Sequence, residues 1–239
     1  MRVRLLGVGM GPQHVTPEVA DALRSCDYVV AADKGPDDGL LAARRAVAAA
    51  HGVELVAVPD PARDRADPDD YPGAVRDWHE ARVAAYELVL RERGGTAAFL
   101  VWGDPSLYDS TIRVVEQLAD RLPLDYDVLP GISAPQLLAA RHRIVLHLVG
   151  APVHVTTARR LRDDIAAGQT NVVVMLTGTL DLAGLEDWTI WWGANLGTDS
   201  EELVSGRVTD VLADLVAARA RARQAAGWVM DAYLLRAPS

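Results

Sequence analysis

The sequence lacks the features that mark secreted, membrane-spanning and metal-binding proteins. Its 239 residues include one cysteine, Cys26, which excludes an intrachain disulfide and is typical of a reducing cytoplasm. The opening segment MRVRLLGVGMGP is too short an apolar run for a signal peptide, or for a membrane span of about 20 apolar residues. The six histidines show no ligand spacing and no cysteine joins them, so no metal site is expected. We therefore expect a cytoplasmic protein in which Cys26, among small helix-forming residues, is a buried, inert thiol.

Positive charge is also scarce, and the formal net charge is −9. This balance argues against a nucleic-acid surface as the main partner. It does not exclude a small anionic substrate, because a pocket can hold arginines on an acidic protein. Half of the residues are hydrophobic, which predicts a well-buried core in one large domain or two smaller ones.

The first half alternates short apolar runs with longer helical segments. Continuously apolar strands separated by helices are typical of a mostly parallel sheet that is covered on both faces. Thr16 followed by Pro17 predicts a helix N-cap and first turn. The remaining pattern predicts strands at 3–8, 28–32, 53–58, 96–102 and 125–129, and helices at 39–50, 74–93, 109–121 and 133–142.

The second half predicts a differently built sheet. Only residues 198–200 separate two of its strands, which indicates antiparallel pairing, and 213–226 reads as a solvated helix. Strands are expected at 152–157, 171–176, 188–194, 201–207 and 227–235. We place a boundary near residue 147, which gives two α/β domains, 1–147 and 148–239, with a cleft between them.

A glycine-rich loop, Gly7-Val8-Gly9-Met10-Gly11-Pro12, follows the first strand and resembles a dinucleotide-binding turn. That site needs a helix beginning at the third glycine, so that its N-terminus faces a pyrophosphate. Here a proline follows the third glycine and the helix cap arrives only at Thr16. The loop is therefore a weak signal by itself, and a generic glycine turn explains it better than a nicotinamide cofactor does.

Two further turns follow predicted strands of the same sheet. Gly103-Asp104-Pro105 comes directly after one strand, and Pro130-Gly131-Ile132-Ser133 after another. Ligands of open α/β sheets bind at the carboxyl ends of the strands. Glycine there allows close backbone approach, aspartate accepts hydrogen bonds, and proline constrains the turn. Three such turns at one edge favour a ligand site over three unrelated structural turns.

In order and spacing, these three turns resemble the tetrapyrrole methylase family across nearly the whole chain. The matching residues are the loop Gly7–Pro12 followed by Thr16, the turn from Trp102 to Pro105, and the turn from Pro130 to Ser133. The resemblance implies the two-domain class III methyltransferase fold, a mostly parallel N-terminal sheet and a mixed C-terminal one. It also implies S-adenosylmethionine in the cleft between the domains, and usually a homodimer.

Further segments are similar to family members that methylate a corrin precursor and release acetate. They are Asp33-Lys34-Gly35, PDPARDR, Asp77-Trp78-His79, LVWGDPSLYDST, AARHRI, VHVTTARRL, VVVMLTG and GWVMDAYLLR. Family members commonly have Gly-Pro-Gly-Asp in the first loop, whereas this chain reads Gly9-Met10-Gly11-Pro12-Gln13 and lacks the acidic residue. It departs again at Lys34, where relatives acting on uroporphyrinogen usually carry arginine, and this fits a different substrate.

The resemblance also implies roles for individual residues. Asp33 matches an aspartate proposed as a base, although a helix N-cap or turn role explains it equally well. Arginines suit a polycarboxylated tetrapyrrole because their fork binds carboxylates in a bidentate manner. The expected substrate-binding arginines are Arg63, Arg65, Arg141 and Arg159, with Arg143 and Arg160 as further candidates. The expected cofactor contacts are Pro12, Trp102, Gly103, Asp104, Leu107, Ser133, Ala134, Met175, Leu176, Gly197 and Met230.

Several functions remain open at this level. Within the family, three alternatives to the corrin precursor are open as the substrate: another tetrapyrrole, ribosomal RNA and the diphthine precursor. The acidic charge counts against RNA. A non-catalytic cofactor-binding module is the alternative from a different class, but it predicts loss of the strand-end turns, and these turns are present.

Overall fold

The structure is a computed structural model that describes residues 1–35, 38–61 and 71–238, the side chains of 71–77 excepted. The chain divides into two compact units, Met1–Ile132 and Ser133–Ser239. Arg63 and Arg65 lie outside the described residues, as does the side chain of Asp77. No described helix has the length and apolar character needed to cross a membrane.

The first unit contains a five-stranded, wholly parallel sheet, which confirms the expected parallel arrangement. The strands follow the order β3-β2-β4-β1-β5 across the sheet. All five carboxyl ends therefore meet at one edge. The strands are β1 (Arg2–Gly7), β2 (Tyr28–Asp33), β3 (Glu54–Pro59), β4 (Thr96–Val101) and β5 (Asp125–Leu129).

Helices cover both faces of this sheet. Neighbouring residues of β1 point to opposite faces: Leu5 packs in one buried cluster with the third and fourth helices, and Leu6 in another with the first two. The predicted burial of Cys26 is confirmed, since it lies in the second cluster and burial raises the pKa of its thiol to about 11. The helices are α1 (Pro17–Arg24), α2 (Gly39–Ala50), α3 (Tyr71–Arg93) and α4 (Thr111–Ala119).

The entry into α1 confirms the capping expected from the sequence. Thr16 Oγ1 accepts a hydrogen bond from Val19 N at 3.2 Å, and Pro17 occupies the first helical position. A single 3-10 turn, Pro12–His14, lies between the glycine loop and the helix. The helix therefore begins too late for its N-terminus to follow the third glycine directly.

The second unit contains a mixed five-stranded sheet of order β6-β7-β10-β8-β9. Strands β6 and β7 are parallel, and the other neighbours are antiparallel, including the expected β8–β9 pair. The sequence did not predict the short helix α6. The elements are α5 (Ala134–His142), β6 (His154–Thr157), α6 (Leu161–Ala166), β7 (Asn171–Met175), β8 (Thr189–Ala194), β9 (Glu202–Arg207), α7 (Val208–Ala226) and β10 (Asp231–Arg236).

Several boundaries differ from those expected. Helix α7 begins at Val208 and not at 213, and it is not a fully solvated helix, because its residues Leu215, Ala218 and Ala222 are buried in the core. The last strand begins at Asp231 and not at Gly227, because Gly227 has φ 75° and ends α7 in the left-handed conformation. The compact units divide after Ile132, whereas the sequence placed the domain boundary near residue 147. Helix α5 packs on β8, β9 and β10 and is therefore grouped with the second sheet.

Candidate functional site

The crevice of the first sheet lies between β1 and β4. The chain leaves β1 toward α1 on one face and leaves β4 toward α4 on the opposite face, although the two strands are neighbours. Ligands of open α/β sheets bind outside the carboxyl ends at such a point. The glycine loop and the Gly-Asp-Pro turn occupy these two strand ends.

The three strand-end turns touch one another through their backbones. Gly9 N donates to Gly103 O at 3.2 Å, and Gly103 N donates to Gly9 O at 2.8 Å. A Cβ atom on Gly7 would lie 2.4 Å from Gly131 N, and one on Gly131 would lie 2.2 Å from Gly103 O. These glycines are therefore required by space, because a side chain at either Gly7 or Gly131 would collide with the backbone of a neighbouring turn.

This close approach predicts that Gly131→Ala destabilises the protein by about 3 kcal/mol, because the added methyl meets backbone atoms that cannot rotate away. Urea denaturation followed by circular dichroism measures the loss. Gly178→Ala is the matched control, since a Cβ atom there meets nothing within 4 Å. The control should change the free energy of unfolding by less than about 0.5 kcal/mol. Equal losses in the two variants would contradict the steric explanation.

Asp104 joins two of the turns. Its Oδ2 accepts from Gly131 N at 2.9 Å, and its Oδ1 accepts from the backbone and hydroxyl of Ser106. Burial acts to raise the pKa of the Asp104 carboxyl, but the hydrogen bonds from Ser106 and Gly131 outweigh it and hold the pKa below its ordinary value. Asp104 thus supports its own turn, as the sequence allowed, and also holds the turn at Gly131, which the sequence did not indicate. Its expected contact with a cofactor stays a prediction.

The other expected residues of the first unit surround these turns. Trp102 follows β4, and its indole packs against the cluster beneath α1 and α2. Its Nε1 is buried with no hydrogen-bond partner among the described residues. Pro12 is exposed at the start of the 3-10 turn, and Leu107 N donates to Asp104 O at 3.2 Å.

Asp33 is the last residue of β2 and therefore lies at the same sheet edge. Its Oδ1 accepts from Gly35 N at 2.9 Å, so one carboxylate oxygen supports the local turn. Its Oδ2 makes no hydrogen bond to the described residues. The turn role and the expected role as a base are thus compatible, because they use different oxygens.

Four of the expected cofactor residues of the second unit, Met175, Leu176, Gly197 and Met230, lie at one edge of its sheet. Met175 ends β7, and Leu176 follows it with φ 56° and 60% exposure. Gly197 follows β8, and Met230 precedes β10, which lies between β7 and β8. Because β7 and β8 both run antiparallel to β10, their carboxyl ends meet beside the start of β10.

Sequence reasoning missed Asn195, which holds this edge together. Asn195 N donates to Met230 O and Asn195 Oδ1 accepts from Met230 N, both at 2.9 Å. Asn195 is 1% exposed and has φ 49°. An asparagine two residues before Gly197 is a signal for such a turn, because asparagine tolerates the left-handed region.

Ser133 and Ala134 begin the second unit at helix α5. Gln136 Oε1 accepts hydrogen bonds from both the backbone N–H and the hydroxyl of Ser133, each at 2.9 Å. Ser133 is the N-cap of α5, and Ala134 is its first residue. The side chain of Ser133 is thus oriented by its own helix, and its expected contact with a cofactor stays a prediction.

The expected substrate-binding arginines that the structure describes do not share a partner or a common site. Arg141 pairs with Glu201 at 2.8 Å, and Arg160 lies 3.7 Å from Asp164. Arg143 ends α5 with φ 55°, and Arg159 is exposed. Their role toward a substrate stays a prediction. Among the described residues, no group of three histidine, cysteine or acidic side chains is placed to hold a metal ion.

The comparisons with known proteins agree with this architecture. The family model described as Tetrapyrrole (Corrin/Porphyrin) Methylases matches residues 2–212. A precorrin-6A synthase [deacetylating] from Sinorhizobium sp is 43% identical over 248 residues, covering 98% of this chain and 95% of that protein.

Solved structures show the same fold. The crystal structure of a cobalamin synthesis related protein (CobF) from Corynebacterium diphtheriae superposes with a TM-score of 0.84 and 37% identity, covering 99% of this chain and 98% of that one. Uroporphyrin-III C-methyl transferase from Thermus thermophilus, complexed with S-adenyl homocysteine, gives a TM-score of 0.63 at 20% identity, covering 99% and 97%. The chain belongs to the tetrapyrrole (corrin/porphyrin) methylase family.

Proposed function

We propose that this chain is an S-adenosylmethionine-dependent C-methyltransferase of cobalamin biosynthesis. The reaction uses precorrin-5, S-adenosylmethionine and water, and it yields precorrin-6A, S-adenosylhomocysteine and acetate. The observation that carries the proposal is the 43% identity to a deacetylating precorrin-6A synthase along 98% of this chain. The two sequences match along nearly their whole length, without large unmatched segments. This similarity favours precorrin-5 as the substrate over another tetrapyrrole, ribosomal RNA or a diphthine precursor.

The residues of the first unit fit the methyl donor. The close packing of Gly7, Gly103 and Gly131 brings the main-chain atoms of three strand-end turns together at one sheet edge, where a ligand can meet them. The proposed contacts there are Pro12, Trp102, Gly103, Asp104 and Leu107. In the second unit they are Ser133, Ala134, Met175, Leu176, Gly197 and Met230.

S-adenosylmethionine supplies an already activated methyl group, so the protein needs neither a metal nor a strong electrophile. The protein's contribution is to position an electron-rich ring carbon against that methyl group. We assign to Asp33 the removal of a proton from the macrocycle, or the stabilisation of positive charge on its pyrrole nitrogens. Arginines bind the carboxylates of the macrocycle. A cytoplasmic location and a homodimer complete the proposal.

The decisive experiment incubates the purified protein with precorrin-5 and methyl-labelled S-adenosylmethionine. We expect mass spectrometry to show one labelled methyl group in the macrocycle, and an enzymatic assay to show one acetate per turnover. A reaction without donor is the control. Methylation without acetate would indicate a different tetrapyrrole methyltransferase, and no methylation by a folded protein would refute the proposal.

A further inference from the structure

The first sheet is incompletely paired between β2 and β4. Backbone pairing between these strands covers Tyr28–Ala97 and Val29–Ala98, whereas β1 and β4 pair over all six residues. Beyond this point Arg44 of α2 donates its Nε to Leu100 O at 2.8 Å. The guanidinium thus lies where the two strands separate, one residue before the end of β4.

Arg44 as a residue is half-buried, and burial of its guanidinium lowers the pKa of the group. The Nη1 and Nη2 groups make no hydrogen bond to the described residues, and no described carboxylate lies within 4 Å of them. Four titratable side chains lie near Arg44. Asp38, Tyr86 and Asp109 favour the charged form of the guanidinium, and the positive charge of Arg82 disfavours it.

The charged neighbours of Arg44 are engaged elsewhere. Asp38 Oδ1 accepts from the first backbone N–H groups of α2, and Asp109 Oδ1 accepts from Thr111 N at 2.6 Å. Arg82 pairs with Asp60 at 2.6 Å. Each of these side chains therefore supports its own turn or ion pair. None of them pairs with Nη1 or Nη2 of Arg44, which have no partner among the described residues.

Two other partly buried arginines, for comparison, each have a carboxylate partner. Arg4 pairs with Asp127 at 2.7 Å, and Arg219 pairs with Asp231 at 2.9 Å. A desolvated charge without a partner is costly, so its presence at the ligand-binding edge of a sheet points to an anion supplied by the ligand. The planar fork of arginine matches a carboxylate in particular.

We propose that Arg44 binds a carboxylate of the tetrapyrrole substrate through Nη1 and Nη2, in the gap between β2 and β4. This inference rests on the proposed function. Extending the β2–β4 register places Leu100 level with Ala31, two residues before Asp33, or about 7 Å along the strand. Arg44 therefore anchors one edge of the macrocycle beside the aspartate that we assign to the reaction.

The test compares Arg44→Gln and Arg44→Lys with the parent. Glutamine can still donate to Leu100 O but carries no charge, whereas lysine keeps the charge without the fork. We expect Arg44→Gln to raise KM for precorrin-5 about ten- to a hundred-fold, since charged hydrogen bonds are lost. Arg44→Lys should give an intermediate KM. The Kd for S-adenosylhomocysteine, measured by calorimetry, should change less than about two-fold in both variants.

Arg4→Gln is the matched control, because Arg4 is also partly buried in this sheet but pairs with Asp127. Its KM for precorrin-5 should equal that of the parent. A parental KM in both Arg44 variants would overturn the inference, as would a rise in KM no larger than that of Arg4→Gln. If Arg44→Gln fails to fold, the KM of Arg44→Lys decides. A parent protein that does not convert precorrin-5 would instead refute the proposed function.

Discussion

Asp33→Asn is expected to lower single-turnover methyl transfer to precorrin-5 by about 10²- to 10⁴-fold, while the affinity for S-adenosylhomocysteine stays at the parental value. The physical reason is the loss of a proton acceptor or of negative charge at the carboxyl edge of β2. The amide oxygen of asparagine can still accept from Gly35 N, as Asp33 Oδ1 does at 2.9 Å. The variant should therefore keep its turn and its fold. Rapid-quench kinetics and calorimetry measure the two quantities separately.

Asp27→Asn provides the control at the other end of the same strand. Asp27 directly precedes β2, and its Oδ2 accepts from Thr96 N at 2.7 Å. Like Asp33, Asp27 has a carboxylate that accepts a backbone hydrogen bond, but Asp27 lies at the edge of the sheet where the strands begin. Its methyl transfer rate should equal that of the parent. If Asp33→Asn also transfers methyl at the parental rate, Asp33 is a turn residue and its assignment as a base is wrong.

Asp231→Asn is expected to reduce the free energy of unfolding of the protein by about 3 kcal/mol. The Asp231 side chain is 0% exposed, and its Oδ2 accepts from Arg219 Nε at 2.9 Å and from Trp192 Nε1 at 3.2 Å. Removing one member of a buried ion pair leaves the other charge uncompensated, at a typical cost of about 3–5 kcal/mol. The lower end applies because Arg219 remains 20% exposed and also donates to the carbonyls of Thr177 and Gly178.

Urea denaturation followed by tryptophan fluorescence suits this measurement, because four of the six tryptophans lie in the second unit. Asp187→Asn is the matched control. It breaks an ion pair with Arg207 in which the Asp187 side chain is 71% exposed, and such pairs contribute little. We expect its urea midpoint to match that of the parent. A parental midpoint in Asp231→Asn would show that the buried pair adds nothing to stability.

Much of the fold could be predicted because its signals are local. Thr16 and Pro17 specify the start of α1 through contacts within one helical turn. The apolar runs that became β1, β2 and β4 predicted a parallel sheet, since strands covered on both faces have little polar alternation. Helix α6 was missed because six residues give too short a pattern to register a helical period.

Only part of the candidate site could be predicted, because only part of it consists of local features. The glycine turns were visible in the sequence, because strand ends and glycines are local features. The order of strands, which brings Gly7, Gly103 and Gly131 into backbone contact, is set by packing across the sheet.

The sequence by itself determined the types of the longer strands and helices, the three glycine turns and the family to which they are similar. Only the tertiary structure decided which side chains support those turns. Asp104 reaches Gly131 across 27 residues, Arg44 reaches Leu100 across 56, and Asn195 reaches Met230 across 35. The physical reason is that hydrogen bonds between distant segments depend on which strands become neighbours. That neighbourhood is chosen by burial of the whole apolar surface and not by any local pattern.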